Sequence, residues 1–85
     1  MTEPDEEMCR ALVERLCSGL GWSVRPAPAV RYVLFDRTGR WLTFGQSMAW
    51  LVASLCDRSC SGMLPAWMQG CSSPEELALK AEVAL

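Results

Sequence analysis

The sequence predicts one α+β domain spanning residues 1–85, a small two-layer fold with the order α-β-β-β-α-α and an antiparallel sheet with helices on one face. Three observations support this prediction: an amphipathic opening segment, the hairpin-like stretch RYVLFDRTGRWLTF, and two later helical segments. The chain is 51% hydrophobic and 21% charged, which is typical of a packed globule. Because a chain of 85 residues has a small core, some apolar side chains should remain on the surface.

The first helix is predicted to run from about Pro4 to Ser18. Thr2 and Asp5 precede a pair of glutamates, and carboxylates in the first turn of a helix stabilise the positive end of its dipole. Glycines follow the segment and favour the end of the helix. Apolar residues recur at three- and four-residue spacing on one side, namely Met8, Cys9, Leu12, Val13, Leu16, Cys17 and Leu20. The polar residues Glu6, Glu7, Arg10, Glu14 and Arg15 are predicted to face solvent.

Three strands are predicted next. A short strand over residues 22–25 should lie at a sheet edge, because Pro26 and Pro28 interrupt it. Residues 29–35 and 40–44 then form a hairpin. Its connection, DRTG, has aspartate at the first turn position and glycine where a bulged three-residue loop needs a positive φ.

The turn predicts the register of this hairpin, with Asp36 opposite Arg40 and side chains alternating between two faces. The core-facing set is Val30, Tyr32, Leu34, Leu42 and Phe44. The outward-facing set is Arg31, Val33, Phe35, Trp41 and Thr43. Two bulky rings near the hairpin tip are therefore expected to point away from the helices.

The C-terminal half predicts two helices joined by a connector. Ser47 can cap a helix over Met48–Cys56 that is apolar nearly all round, which predicts a central, covered helix. Ser73, with proline next and glutamate third, marks the start of a final helix that continues towards the end of the chain. Between them, a possible single turn over residues 65–69 should display Met63, Leu64, Trp67 and Met68.

Composition also bears on the compartment. Five cysteines form an odd set, which fits reduced thiols better than a closed disulfide framework. The opening residues are acidic rather than basic and apolar, unlike a secretory signal. No apolar run reaches the roughly 20 residues that a membrane span needs. These features predict a cytoplasmic protein without a membrane partner.

Enzymatic chemistry is not expected. The chain has no histidine, the commonest general base and a usual partner of catalytic serine or cysteine. Asp36 and Asp57 are the only carboxylates in the middle of the chain, so no pair for acid-base catalysis is visible, and no cofactor motif occurs. Whether Cys56, Cys60 and Cys71 bind a metal stays open, since their spacing lacks paired CxxC motifs.

Nucleic-acid binding is the alternative function. Four arginines between residues 25 and 40 are interspersed with aromatic residues, and such residues hold phosphates and stack on bases. The order α-β-β-β-α resembles that of double-stranded RNA-binding modules, although SMAWLVASL stands where those modules have a lysine-rich helix start. The net charge of -2 and a pI near 5.0 disfavour a polyanionic partner.

A non-enzymatic protein-binding module, such as an inhibitor, adaptor or accessory subunit, is the leading prediction. Surplus apolar side chains, together with Trp and Arg, are typical of interfaces. A protein partner or a second copy of the chain is expected to contact the outer hairpin face and the 63–68 loop. The predicted contact residues are Arg31, Val33, Phe35, Arg37, Arg40, Trp41, Thr43, Met63, Leu64, Trp67 and Met68.

Overall fold

A computed structural model describes residues 5–57 and 64–85 and confirms the α-β-β-β-α-α order. The three strands form one antiparallel sheet with the order β1-β2-β3. Along the chain, the elements are α1 (Glu6–Leu20), β1 (Ser23–Ala27), β2 (Arg31–Phe35), β3 (Trp41–Gly45), α2 (Met48–Asp57), a single 3₁₀ turn (Ala66–Met68) and α3 (Pro74–Ala84).

Local capping explains where the outer helices begin and end. The Asp5 carboxylate accepts a hydrogen bond from the Glu7 amide and so caps α1, while Gly21 ends that helix at a φ of 75°. At α3, the Ser73 hydroxyl accepts from the Glu76 amide at 3.2 Å, as the sequence predicts. Helix α1 includes Gly19 and ends at Leu20, beyond the predicted end at about Ser18.

Helix α2 is the centre of the domain. It packs on β2 and β3 with one side and contacts α1 and α3 with others. Its buried residues Met48, Leu51, Val52 and Leu55 join the core with the apolar stripe of α1. The helix is thus covered on more than one side, as predicted, although Trp50 is 62% exposed.

The turn between β2 and β3 has the predicted form. One oxygen of Asp36 accepts from the Thr38 amide at 2.8 Å, the Thr38 hydroxyl at 2.6 Å and the Arg40 amide at 2.9 Å. Gly39 takes a φ of 87°, and the Asp36 amide donates to the Arg40 carbonyl. These bonds hold the first pair of the hairpin, Phe35 opposite Trp41, as predicted.

A β-bulge changes the register immediately after that pair. Leu34 lies opposite Thr43 rather than Leu42, so β3 contains one extra residue and the alternation shifts. Leu42 and Thr43 are both buried, whereas Phe44 is 47% exposed. The predicted outward position of Thr43 and inward position of Phe44 are therefore wrong: the bulge reverses the two faces beyond it.

Helix α2 lies in close contact with the sheet at Gly45. A β-carbon placed on this glycine would lie 2.9 Å from Cβ of Trp50 and 3.1 Å from the backbone nitrogen of Leu51. Gly45 is paired with Tyr32 on the helical side of the sheet. Its missing side chain is what allows the helix to lie against the strand.

The N-terminus of α2 is capped from α1. Glu6, predicted to face solvent, is half-buried, and its two carboxylate oxygens accept from the amides of Met48 and Ala49, each at 2.9 Å. These amides lack partners within their own helix. Hydrogen bonding from Ala49 above all, and from Met48, lowers the pKa of Glu6, since both bonds favour the charged form.

The connector before α3 contributes to the core instead of displaying a loop. Leu64 is 6% and Met68 is 2% exposed, and Trp67 is half-buried against the same cluster. The 3₁₀ turn packs on α3, which was not visible in the local sequence pattern. The predicted exposure of Leu64 and Met68 is thus wrong, and Met63 lies outside the described residues.

Candidate functional site

The side of the sheet opposite α2 forms the candidate surface. We use the name outer sheet face for Arg25, Val33, Phe35, Trp41 and Phe44. In the observed register, Val33 lies between Arg25 and Phe44, and Phe35 lies between Ser23 and Trp41. Two neighbouring cross-strand rows therefore bring one cation and three aromatic rings together.

The rings of this face contact one another in a defined arrangement. The centroids of Trp41 and Phe44 are 5.8 Å apart with their planes tilted by 31°. The guanidinium carbon of Arg25 lies 5.5 Å from the Phe35 centroid, a cation-π distance. Trp41 and Phe44 are 44% and 47% exposed, so both present apolar surface to solvent. The face is therefore a partly exposed aromatic cluster bordered by one arginine.

The structure brings together four of the predicted contact residues. Val33, Phe35 and Trp41 lie on the outer sheet face, and Arg31 is exposed at the end of the same ladder, opposite Ala27. Arg31 has a φ of 71°, so it belongs to the β1–β2 turn as much as to the strand.

The remaining predicted residues are dispersed. Arg37 and Arg40 are exposed in the hairpin turn, and Arg37 lies close to Gly21 at the end of α1. Thr43 faces the helical side, and Leu64 and Met68 belong to the core. Trp67 lies on the connector next to α3. Residues 64–68 are therefore not part of the candidate surface.

Sequence reasoning missed Phe44 as a surface residue. Its position depends on the bulge, and no glycine or proline in WLTF marks a bulge there. Arg25 was recognised only as part of a basic segment. Its contact with Phe35 follows from the pairing of β1 with β2, which the pattern of residues 22–28 does not specify.

Three cysteines of the described residues, Cys9, Cys17 and Cys56, carry little thiolate at neutral pH, because burial raises the pKa of each. Cys9, Cys17, Cys56 and Cys71 are free thiols, of which Cys9 and Cys71 are buried. Burial raises the pKa of Cys9 to about 11, and burial together with the nearby Cys71 and Asp57 raises that of Cys56 to about 11. Within residues 5–57 and 64–85, no three potential ligands are grouped to hold a metal ion.

Alkylation with iodoacetamide should therefore be slow at neutral pH. We expect Cys56 in the folded protein to react at least about tenfold more slowly than free cysteine at pH 7.5, because so little thiolate is present. Cys9 should react only through opening of the domain. Peptide mass spectrometry after timed labelling measures both rates, with the urea-unfolded chain as the control. Rapid labelling of Cys56 in the folded protein would contradict the raised pKa.

Comparison with known proteins adds no assignment: no family model, curated protein or solved structure matches the chain. The helices in the described ranges are too short or too polar to cross a membrane. The described residues form a small α+β domain whose helices cover one face of the sheet and leave the other face open.

Proposed function

We propose that the chain is a non-enzymatic protein-binding module and that the outer sheet face is its contact surface. One observation carries the proposal: Trp41 and Phe44 pack on each other yet remain nearly half exposed, on the face that none of the helices in residues 5–57 and 64–85 covers. Neighbouring exposed aromatic rings, bordered by polar residues, are a feature of protein-interaction sites. Burying Trp side chains in an interface contributes more binding energy than most other contacts.

A protein partner agrees better with this geometry than a nucleic acid does. The Arg25 guanidinium lies over Phe35 and occupies the ring face on which a base would stack. In element order, α2 corresponds to the phosphate-binding helix of double-stranded RNA-binding modules. The amides at its N-terminus already donate hydrogen bonds to the carboxylate of Glu6. An anion at this helix terminus disfavours phosphate there.

Affinity capture with the tagged chain tests the proposal. Replacing Phe35, Trp41 and Phe44 together with serine should reduce partner capture at least tenfold, because the apolar centre of the interface is removed. The matched control is Leu79→Ser with Val83→Ser, which removes the exposed apolar residues of α3, 66% and 91% exposed. Partners retained by the wild type and the α3 variant should be lost from the outer-face variant.

Circular dichroism and cooperative thermal unfolding must first show that both variants fold. Light scattering of the wild type identifies a second copy as the partner if the mass is doubled. Equal capture by the outer-face variant and the wild type would rule out this surface.

A further inference from the structure

We infer that the outer sheet face binds an acidic peptide segment, in which carboxylates pair with Arg25 and Arg31 and apolar side chains cover Trp41 and Phe44. This inference rests on the proposed function and specifies the chemistry of the partner. It is drawn from the distribution of charge over the two layers of the fold.

Charge is separated between the sheet and the helices. The stretch from Trp22 to Gly45 contains four arginines and one carboxylate, Asp36. The other carboxylates of the described residues are on or beside the helices: Asp5, Glu6, Glu7, Glu14, Asp57, Glu75, Glu76 and Glu82. Two of these arginines are exposed at the outer sheet face, Arg25 within it and Arg31 at the end of the same ladder, although the whole chain has a net charge of -2.

Among the described residues, Asp36 forms no ion pair with Arg25 or Arg31, and its carboxylate is used by the turn. One of its oxygens accepts three hydrogen bonds, from Thr38 and from the Arg40 amide. These bonds, led by that from the Thr38 hydroxyl, lower the pKa of Asp36. The carboxylate thus stays within the hairpin turn rather than extending over the sheet.

Arg25 and Arg31 have no carboxylate partner among the described residues, where the ion pairs are Arg10 with Glu6 and Lys80 with Glu76. The cation-π contact with Phe35 orients the Arg25 guanidinium but does not use its N–H donors. A carboxylate that reaches this position gains charge-assisted hydrogen bonds from a side chain already held in place.

Two other partners, a second copy of the chain and a nucleic acid, agree less well with this surface. Two copies joined face to face by a two-fold axis would bring Arg25 and Arg31 of each into one interface, where like charges repel. A nucleic acid satisfies the arginines, but the Arg25 guanidinium lies 5.5 Å from the centroid of the Phe35 ring on which a base would stack. An acidic segment with aromatic or aliphatic residues satisfies both the cations and the rings.

To test the inference, peptides that bind the protein are selected from a display library of random sequences of about a dozen residues. The targets are the wild type, the Arg25→Gln/Arg31→Gln variant, the serine variant of Phe35, Trp41 and Phe44, and Arg15→Gln as a matched control on the exposed side of α1. Peptides enriched on the wild type should carry net negative charge together with aromatic or aliphatic residues.

Affinities are then measured by fluorescence anisotropy with the selected peptides and with labelled oligothymidylate. The double glutamine variant should bind the selected peptides at least about tenfold more weakly, and Arg15→Gln should bind them unchanged. Raising the salt from about 50 to 500 mM should weaken wild-type binding and have little effect on the double variant.

The outcomes separate the inference from the proposed function. Neutral or basic peptides that need the three rings would overturn the acidic partner and leave the protein-binding surface in place. No enrichment on the wild type above the serine variant would overturn both. Tighter binding of oligothymidylate than of any selected peptide, lost with the two arginines, would replace the acidic segment with a nucleic acid.

Discussion

Replacing Gly45 with valine should lower the free energy of unfolding by about 2–3 kcal/mol. The new side chain would meet Cβ of Trp50 at 2.9 Å and the backbone of Leu51 at 3.1 Å, so α2 has to move away from β3. Backbone atoms of a packed helix yield less readily than the end of a flexible side chain. Thermal unfolding should report a melting temperature lower by roughly 10–20 °C.

Two further variants identify the cause. Phe44→Val places a branched residue on the same strand but on the open face, and its stability should stay within about 0.5 kcal/mol of the wild type. Adding Trp50→Ala to Gly45→Val should not restore stability, because alanine keeps the β-carbon and the helix backbone stays in place. An unchanged melting temperature for Gly45→Val would show that α2 does not lie this close to the strand.

Removing the carboxylate of Glu6 should have the second large effect. Glu6→Ala is expected to cost about 1–2 kcal/mol, because the amides of Met48 and Ala49 both lose their acceptor. Glu6→Gln keeps one acceptor oxygen and should cost less. Glu7→Ala is the matched control, since Glu7 lies in the same first turn of α1 but is exposed.

This contribution depends on pH in a defined direction. The pKa of Glu6 in the folded chain lies below its ordinary value of 4.5, so the unfolded chain binds the proton more tightly. The stabilisation is therefore complete above pH 4.5 and is lost as the pH falls through the folded pKa. Denaturant unfolding from pH 7 to pH 3 should show the difference between wild type and Glu6→Ala shrinking. A constant difference would mean that the carboxylate charge is not involved.

Features that depend on neighbouring residues were predictable from the sequence. The Asp36 turn and the Ser73 helix start each join groups within four residues, and both have the predicted hydrogen bonds. The element order follows for the same reason, because hydrophobic periodicity and turn chemistry act locally.

Features that depend on distant residues were not predictable. Glu6 caps a helix 42 residues further along the chain, and its position in the first turn of α1 gives no sign of this role. Leu64 and Met68 have the composition of a displayed loop and are buried only because the connector packs on α3 and the core. Three of the five residues of the outer sheet face, Val33, Phe35 and Trp41, were located from the turn, while Phe44 required the bulge. Arg25 required the pairing of β1 with β2.

The bulge in β3 also implies a conflict between the hairpin and the rest of the domain. An unbroken ladder would turn the Phe44 ring inward and the Thr43 hydroxyl outward, an exchange favoured by roughly 2 kcal/mol of transfer free energy. The backbone of α2 at Gly45 leaves no room for a ring on that side. We therefore expect the separated hairpin to sample the unbroken register between β2 and β3, and docking of the helical layer to select the bulged register. Strand β3 is then locally frustrated until the helices dock late in folding.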